Sequence, residues 1–275
     1  MKKTKRAILL ISLLLIVSCS SLSPFRGKGY STFASAFGGS GELVVLIDTE
    51  KFDITSYVNS PELRERSEYL TLVREPDGTV IGALEGAYPA DVIRYATGKN
   101  RNVFGKYSVM QPDSGIFLFT DASLDDAYER SFKNRKVVTM ESELQERFRN
   151  ALSIYGYDVR GLIGDELNDI VFNKIDININ KNNIYDNKND TSVNNDTGFV
   201  LSGTVRIDDE GAFKRFLTYF KTWYVGDVRR SGGKVDLNRI NKSIKVGGED
   251  QNTLIFTNLP WYSFDLGRLA LLGWR

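Results

Sequence analysis

Short apolar runs separated by tight-turn chemistry constrain this chain more than any other feature. Leu43-Val44-Val45-Leu46-Ile47-Asp48 has the length and composition of a buried strand. Tyr69 to Arg74 and Thr79 to Leu84 flank Pro76-Asp77-Gly78, and residues 106–110 and 115–120 flank Pro112-Asp113-Ser114-Gly115. Proline pre-sets φ for the first turn position, Asp accepts backbone hydrogen bonds, and Gly supplies positive φ, so both segments fold back as hairpins. Hairpin connections impose antiparallel pairing, whereas parallel strands need crossovers of about a dozen residues or more. The fold class expected is therefore α+β, with mainly antiparallel strands and packed helices.

Helix signals lie between these runs. Ser60-Pro61 gives an N-cap and first turn near 61–68, Pro89 opens a helix that Gly98 closes, and Ser123-Leu124-Asp125-Asp126 reads as a capped start. Met140, Leu144, Phe148, Ala151, Leu152 and Tyr155 recur at helical spacing and predict a helix over 140–154, stopped by Gly156. After the strand Phe199 to Val205 comes the most amphipathic segment, 209–223. Its apolar face carries Ala212, Phe213, Phe216, Leu217, Phe220 and Trp223, and Asp208, Asp209 and Glu210 complement its N-terminal dipole. This face reads as core, with an interfacial, lipid-facing surface of Phe213, Phe216, Phe220 and Trp223 as the second reading.

A faint repeat runs through the chain. Gly82 in a strand leads through the helix after Pro89 to Phe117-Leu118-Phe119-Thr120, and Gly203 leads through the helix after Asp208 to Leu254-Ile255-Phe256-Thr257. Ser123-Leu124-Asp125 and Ser263-Phe264-Asp265 follow the two terminal strands. The pattern suggests two similar modules in tandem, 42–122 and 123–275. About 235 residues can bury near 70% of their surface, which is enough for one large core or two smaller ones. Residues 173–197, with Asn at nine positions, read as a low-complexity loop inserted in the second module. Counted from Asp186 they place Lys, Thr and Thr where a calcium loop needs Asp or Asn, Gly and Glu.

At the N-terminus, Lys2, Lys3, Lys5 and Arg6 precede an apolar run from Ala7 to Val17 that ends in Ile16-Val17-Ser18-Cys19. A run of about eleven residues suits a secretory signal and falls short of the roughly twenty needed to cross a bilayer. The pattern resembles the signal peptide and lipobox of bacterial lipoproteins over the first twenty or so residues. That resemblance implies cleavage after residue 18, acylation of Cys19 and a mature protein held on the membrane by its lipid. Two or more acyl chains anchor stably without a spanning segment. Ser20 stands where an Asp would retain some lipoproteins in the inner membrane, so in a diderm organism the resemblance favours the outer membrane. Residues 19–41, rich in Ser, Gly and Phe, read as a flexible tether.

Composition then excludes whole classes of chemistry. The chain has no His and one Cys, so Ser-His-Asp triads, Cys-His pairs and His-rich metal sites are ruled out. With Cys19 acylated, disulfides are ruled out as well. Of 36 Lys+Arg and 35 Asp+Glu, four cations leave with residues 1–18, which gives the remainder a formal charge of −3 and argues against nucleic acid as a partner. Gly27-Lys28-Gly29 lacks the strand and helix of a phosphate loop, and Ser231-Gly232-Gly233-Lys234 lacks the companion motifs of penicillin-binding enzymes. Arg229, Arg230, Lys234, Arg239, Lys242 and Lys245, with Asp236 as the one acid among them, form a basic stretch that reads as a solvated hairpin or a patch for an anionic surface.

No catalytic, metal or cofactor site is thus expected. The function expected is a non-enzymatic envelope role, holding a protein or the cell-wall polymer near the membrane. A carrier of lipid or a small hydrophobic ligand is the alternative, prompted by 12% aromatic residues, and a carboxylate-dependent hydrolase is the third.

Overall fold

Strand β1 (Leu43–Asp48) is buried at all six positions because it lies at the centre of a ten-stranded sheet. The computed structural model describes residues 33–55, 58, 60–88, 107–113, 115–162, 167–181, 199–230, 237–247 and 252–261. After β1 come α1 (Pro61–Arg64), β2 (Ser67–Arg74), β3 (Val80–Gly86), β4 (Ser108–Asp113) and β5 (Ile116–Thr120). Helix α2 (Leu124–Tyr128) runs on into a π-helical turn (Glu129–Lys133), and α3 (Glu141–Arg147) leads to β6 (Leu152–Arg160). The rest is β7 (Val171–Lys181), β8 (Phe199–Arg206), α4 (Glu210–Arg230), α5 (Leu237–Ser243), β9 (Ile244–Val246) and β10 (Thr253–Pro260). The fold is α+β, and the ten paired strands are antiparallel throughout.

The strand order is β4-β5-β3-β2-β1-β6-β7-β8-β10-β9. Strands up to residue 120 make one half and those from residue 152 the other, and the two halves follow one connectivity. A single row of register partners crosses the whole sheet: Val109, Phe119, Gly82, Leu72, Val45, Ile154, Ile177, Gly203, Phe256 and Ile244. A twofold rotation about an axis normal to the sheet, passing between Val45 and Ile154, exchanges the pairings of the halves. Gly82 and Gly203 stand third from the edge on either side, each beside a phenylalanine. The sheet is continuous across β1 and β6, so the halves share one core and are not separate bodies.

That core lies on the face bearing this row, and α4 covers its second half. Among the described residues the other face carries a second core over the first half and Tyr155 of β6, where Val44, Leu46, Val73, Ile81, Ala83, Ile116 and Leu118 pack against Phe33, Phe37, Ala127, Leu144 and Phe148. Over the second half the same face presents Asp176, Asn178, Asn180, Ser202 and Thr204, all partly exposed. Arg147, Asn150 and Ser153 hydrogen-bond to Asp176 and Asn178 there.

Three sequence expectations are corrected here. The helix expected over 140–154 ends at Arg147, and Leu152 to Gly156 form the inner part of β6, buried on both faces between β1 and β7. Doubly buried strands lack polar alternation, so their apolar residues also fall at helical spacing. Gly156 is required by close approach rather than as a stop, since a Cβ there would lie 2.5 Å from the Glu42 carbonyl oxygen. The loop expected over 173–197 begins instead as β7, in which Ile175, Ile177 and Ile179 alternate with Asp176, Asn178 and Asn180; residues 182–198 lie outside the described ones. The helix near 61–68 is one turn, capped by Ser60, before β2 starts at Ser67. The helix expected from Pro89 to Gly98 lies outside the described residues.

Candidate functional site

Cys19 and the signal segment lie outside the described residues, which begin at Phe33. Phe33 and Phe37 are fully buried with their rings 4.9 Å apart. The amides of Gly38 and Gly39 donate to Glu42 Oε2 at 2.8 and 2.9 Å. Arg130, from the π-helical turn, closes the arrangement by ion-pairing with both Glu42 and Glu75 while its guanidinium sits 4.9 Å over the Phe37 ring. The expectation of a tether over 19–41 is corrected from Phe33 on, where the chain is packed into the fold; residues 19–32 lie outside the described ones. Phe33 and Phe37, counted as tether composition, fill the second core, and burying an aromatic ring outweighs the freedom of a Gly-rich stretch.

The aromatic face of α4 lies in the first core. Phe213, Phe216 and Phe220 are 4%, 6% and 9% exposed, and Trp223 is partly buried against Trp261 at 5.9 Å. Phe216 meets Phe172 edge-on at 5.2 Å and Phe220 lies 5.0 Å from Phe256, so the sheet occupies the surface that a lipid-facing reading needs free. The helix continues to Arg230, longer than expected, because Tyr224 and Val228 prolong the apolar stripe and Tyr224 donates to the Pro260 carbonyl at 2.6 Å.

The basic stretch is only partly gathered. Arg229 and Arg230 are exposed at the end of α4, with Arg230 3.7 Å from the buried Asp227, and Lys242 and Lys245 are exposed on α5 and β9. Lys234 and the Arg239 side chain lie outside the described residues, as does Ser231.

A polar cleft of about 560 Å³ opens at the start of α4, lined by Asp158, Arg160, Asp169, Asn173, Asp208, Asp209 and Arg215 among others. Its polar groups satisfy one another. Arg215 pairs with Asp169 at 2.6 Å, and this hydrogen bond draws the Asp169 carboxyl below the usual carboxylate range. Arg206 holds Asp208, Asn173 accepts from the Asp208 amide, and Asp209 caps Ala212 at 2.6 Å. Among the described residues no group of three or more acidic side chains is placed to hold a metal ion, and no helix is long and apolar enough to cross a membrane.

The strongest electrostatic outlier lies elsewhere. Glu85 on β3 is 5% exposed with its Oε1 lacking a hydrogen-bond partner, and burial, aided by the charge of Glu68, raises its pKa to about 8. Sequence reasoning passed over it because a lone Glu in a strand normally faces water.

No protein-family model and no curated protein sequence matches the chain. Among solved structures it is similar to TP0453, a Treponema pallidum protein. Its crystal form I aligns with a TM-score of 0.52 at 8% identity, covering 92% of this chain and 98% of that one. Its crystal form IV aligns at 0.48 with the same identity, over 86% and 96%. At this identity the likeness is one of fold: the architecture of this chain resembles that of TP0453 over nearly its whole length.

Proposed function

We propose that this chain is a membrane-anchored envelope lipoprotein with a non-enzymatic structural or interaction role. The observation that carries this reading is Cys19, the one cysteine of the chain, placed where a basic segment and an apolar run of secretory length end. Acylated there, the protein stays on the membrane through its lipid, on the outer membrane if the organism is diderm. Only 13 residues separate Cys19 from Phe33, an r.m.s. reach of about 20 Å for a flexible chain. The protein's partner is an envelope protein or the cell-wall polymer.

The carrier alternative loses its main motive, since the aromatic residues of α4 serve the core. A hydrolase needs a carboxyl pair, and of the cleft acids Asp169 and Asp208 pair with arginines, Asp209 caps a helix and Asp158 accepts from Ser40 and Asn173. Crosslinking in intact cells, followed by identification of what co-purifies, tests the proposal. An envelope protein or wall fragment is expected; a stoichiometric lipid or small molecule in the purified protein would instead establish the carrier.

A further inference from the structure

Val137, Val138 and Met140 are 64%, 49% and 69% exposed, three of the five large apolar side chains so exposed among the described residues. The other two, Tyr157 and Val246, stand singly on strands, which is ordinary for a soluble surface. These three crowd into four positions of the connection between the π-helical turn and α3. The backbone there is held firmly. The amides of Val138 and Thr139 donate to the Ser35 carbonyl at 2.7 and 3.2 Å, and the buried Thr139 hydroxyl donates to the Phe37 carbonyl at 2.7 Å. Thr139 thus points inward and its neighbours are pushed out, on a rigid rather than a collapsing segment.

The strand of chain that grips this apolar tip is the one that leads to Cys19. Ser35 and Phe37 belong to the entry segment, two and four residues past Phe33. The 13 residues between Cys19 and Phe33 span at most about 46 Å even when fully extended. A bilayer holding Cys19 is therefore within reach of the tip at a high effective concentration. Lys133, Arg135 and Lys136 immediately precede the apolar residues and are exposed. Lys133 pairs with Glu129 at 2.5 Å. The cations stand on one side of the apolar residues and the exposed Glu141 on the other, so the apolar side chains themselves make the contact with the acyl boundary and the preceding cations favour anionic headgroups.

We infer that the Val137-Val138-Thr139-Met140 tip docks on the bilayer that holds the lipid of Cys19, and so fixes the orientation of the domain. The inference rests on the anchored reading proposed above. It assigns the tip, not the face of α4, to the membrane, and turns the polar side of the second half of the sheet to a fixed direction.

The test uses the lipidated protein in vesicles of phosphatidylcholine and phosphatidylglycerol. Because acylated Cys19 has no free thiol, a Met140→Cys substitution can be labelled alone with an environment-sensitive fluorophore, and Lys221→Cys on the exposed side of α4 serves as the comparison. A blue shift at position 140 with about tenfold less quenching by aqueous iodide, and neither change at 221, is expected. In Val137→Asp/Val138→Asp the protein should still sediment with vesicles while the shift at 140 is lost. An unshifted label at 140 in sedimenting protein overturns the inference, as does a shift at 221 alone. The Cys19→Ala chain at high lipid concentration separates the two proposals. A shift at 140 there sustains the tip even if fatty-acid labelling shows that Cys19 carries no lipid, and its absence in both forms rejects the tip whatever the state of Cys19.

Discussion

Phe119 lies across Gly82: a Cβ placed on Gly82 would come within 2.1 Å of the Phe119 Cζ atom. The two are register partners on β3 and β5, and Gly203 and Phe256 are partners at the mirrored place on β8 and β10. At Gly82 the space is taken by a ring. At Gly203 the backbone itself demands glycine, with φ of +146° and the Asp176 carbonyl oxygen 2.1 Å from a would-be Cβ. One sequence pattern, Gly opposite Phe, thus recurs with two different physical causes.

Gly82→Ala should therefore destabilise the protein by about 1–3 kcal/mol, because the ring of Phe119 must leave its packed position. Adding Phe119→Leu should recover part of the loss. Chemical denaturation of the two single variants and the double variant measures the coupling; independent, additive effects would show that the ring has room to move.

Burial holds the Glu85 proton in the folded chain up to about pH 8, while the unfolded chain releases it near 4.5. The folded state binds the extra proton between these values, so the contribution of Glu85 is whole below about pH 4.5 and is lost as the pH climbs through about 8. Glu85→Gln should flatten that decline and raise the melting temperature at the alkaline end. A melting temperature equally independent of pH in both proteins would mean that the carboxyl finds water or a cation.

Phe213→Ala, Phe216→Ala and Phe220→Ala should each cost on the order of 3–5 kcal/mol, as expected for emptying a ring-sized space in a packed core. Denaturant titration checks this. Variants as stable as the parent would place the aromatic face of α4 outside the core.

Arg130→Met should loosen the entry segment by removing the partner of Glu42 and Glu75 and leaving two acids near one another. The expected readout is faster hydrogen exchange at Gly38 and Gly39 with little change in the β1 amides. Uniform exchange across both would mean that the segment is held by Phe33 and Phe37 alone.

Hairpins were legible wherever turn chemistry was local: Pro76-Asp77-Gly78 and the stretch around Gly115 carry their own geometry, with φ of +91° at Gly78 and +85° at Gly115. The Ser123 cap, accepting from the Asp126 amide at 3.3 Å, was legible for the same reason. The pairing of Gly82 with Phe119 and of Gly203 with Phe256 showed only as a faint likeness, because partners many residues apart leave no local mark. Strand β6 was obscured by burial on both faces, and β7 by Asn and Asp, whose side chains meet the polar groups of Arg147, Asn150 and Ser153. Phe33 and Phe37 were hidden among glycines that permit either a coil or a tight fold. The tip at Val137 to Met140 has no periodicity to betray it; exposure there follows from Thr139 being held inward by Phe37.

The central claim is that Cys19 carries a lipid that places this domain on a membrane. Metabolic labelling with a radioactive fatty acid, followed by fractionation of cells that express the wild type or Cys19→Ala, tests it most directly. The account predicts label in the wild-type band, none in the variant, and release of the variant from the lipid-anchored membrane fraction. An unlabelled wild-type protein that still fractionates with membranes would contradict it.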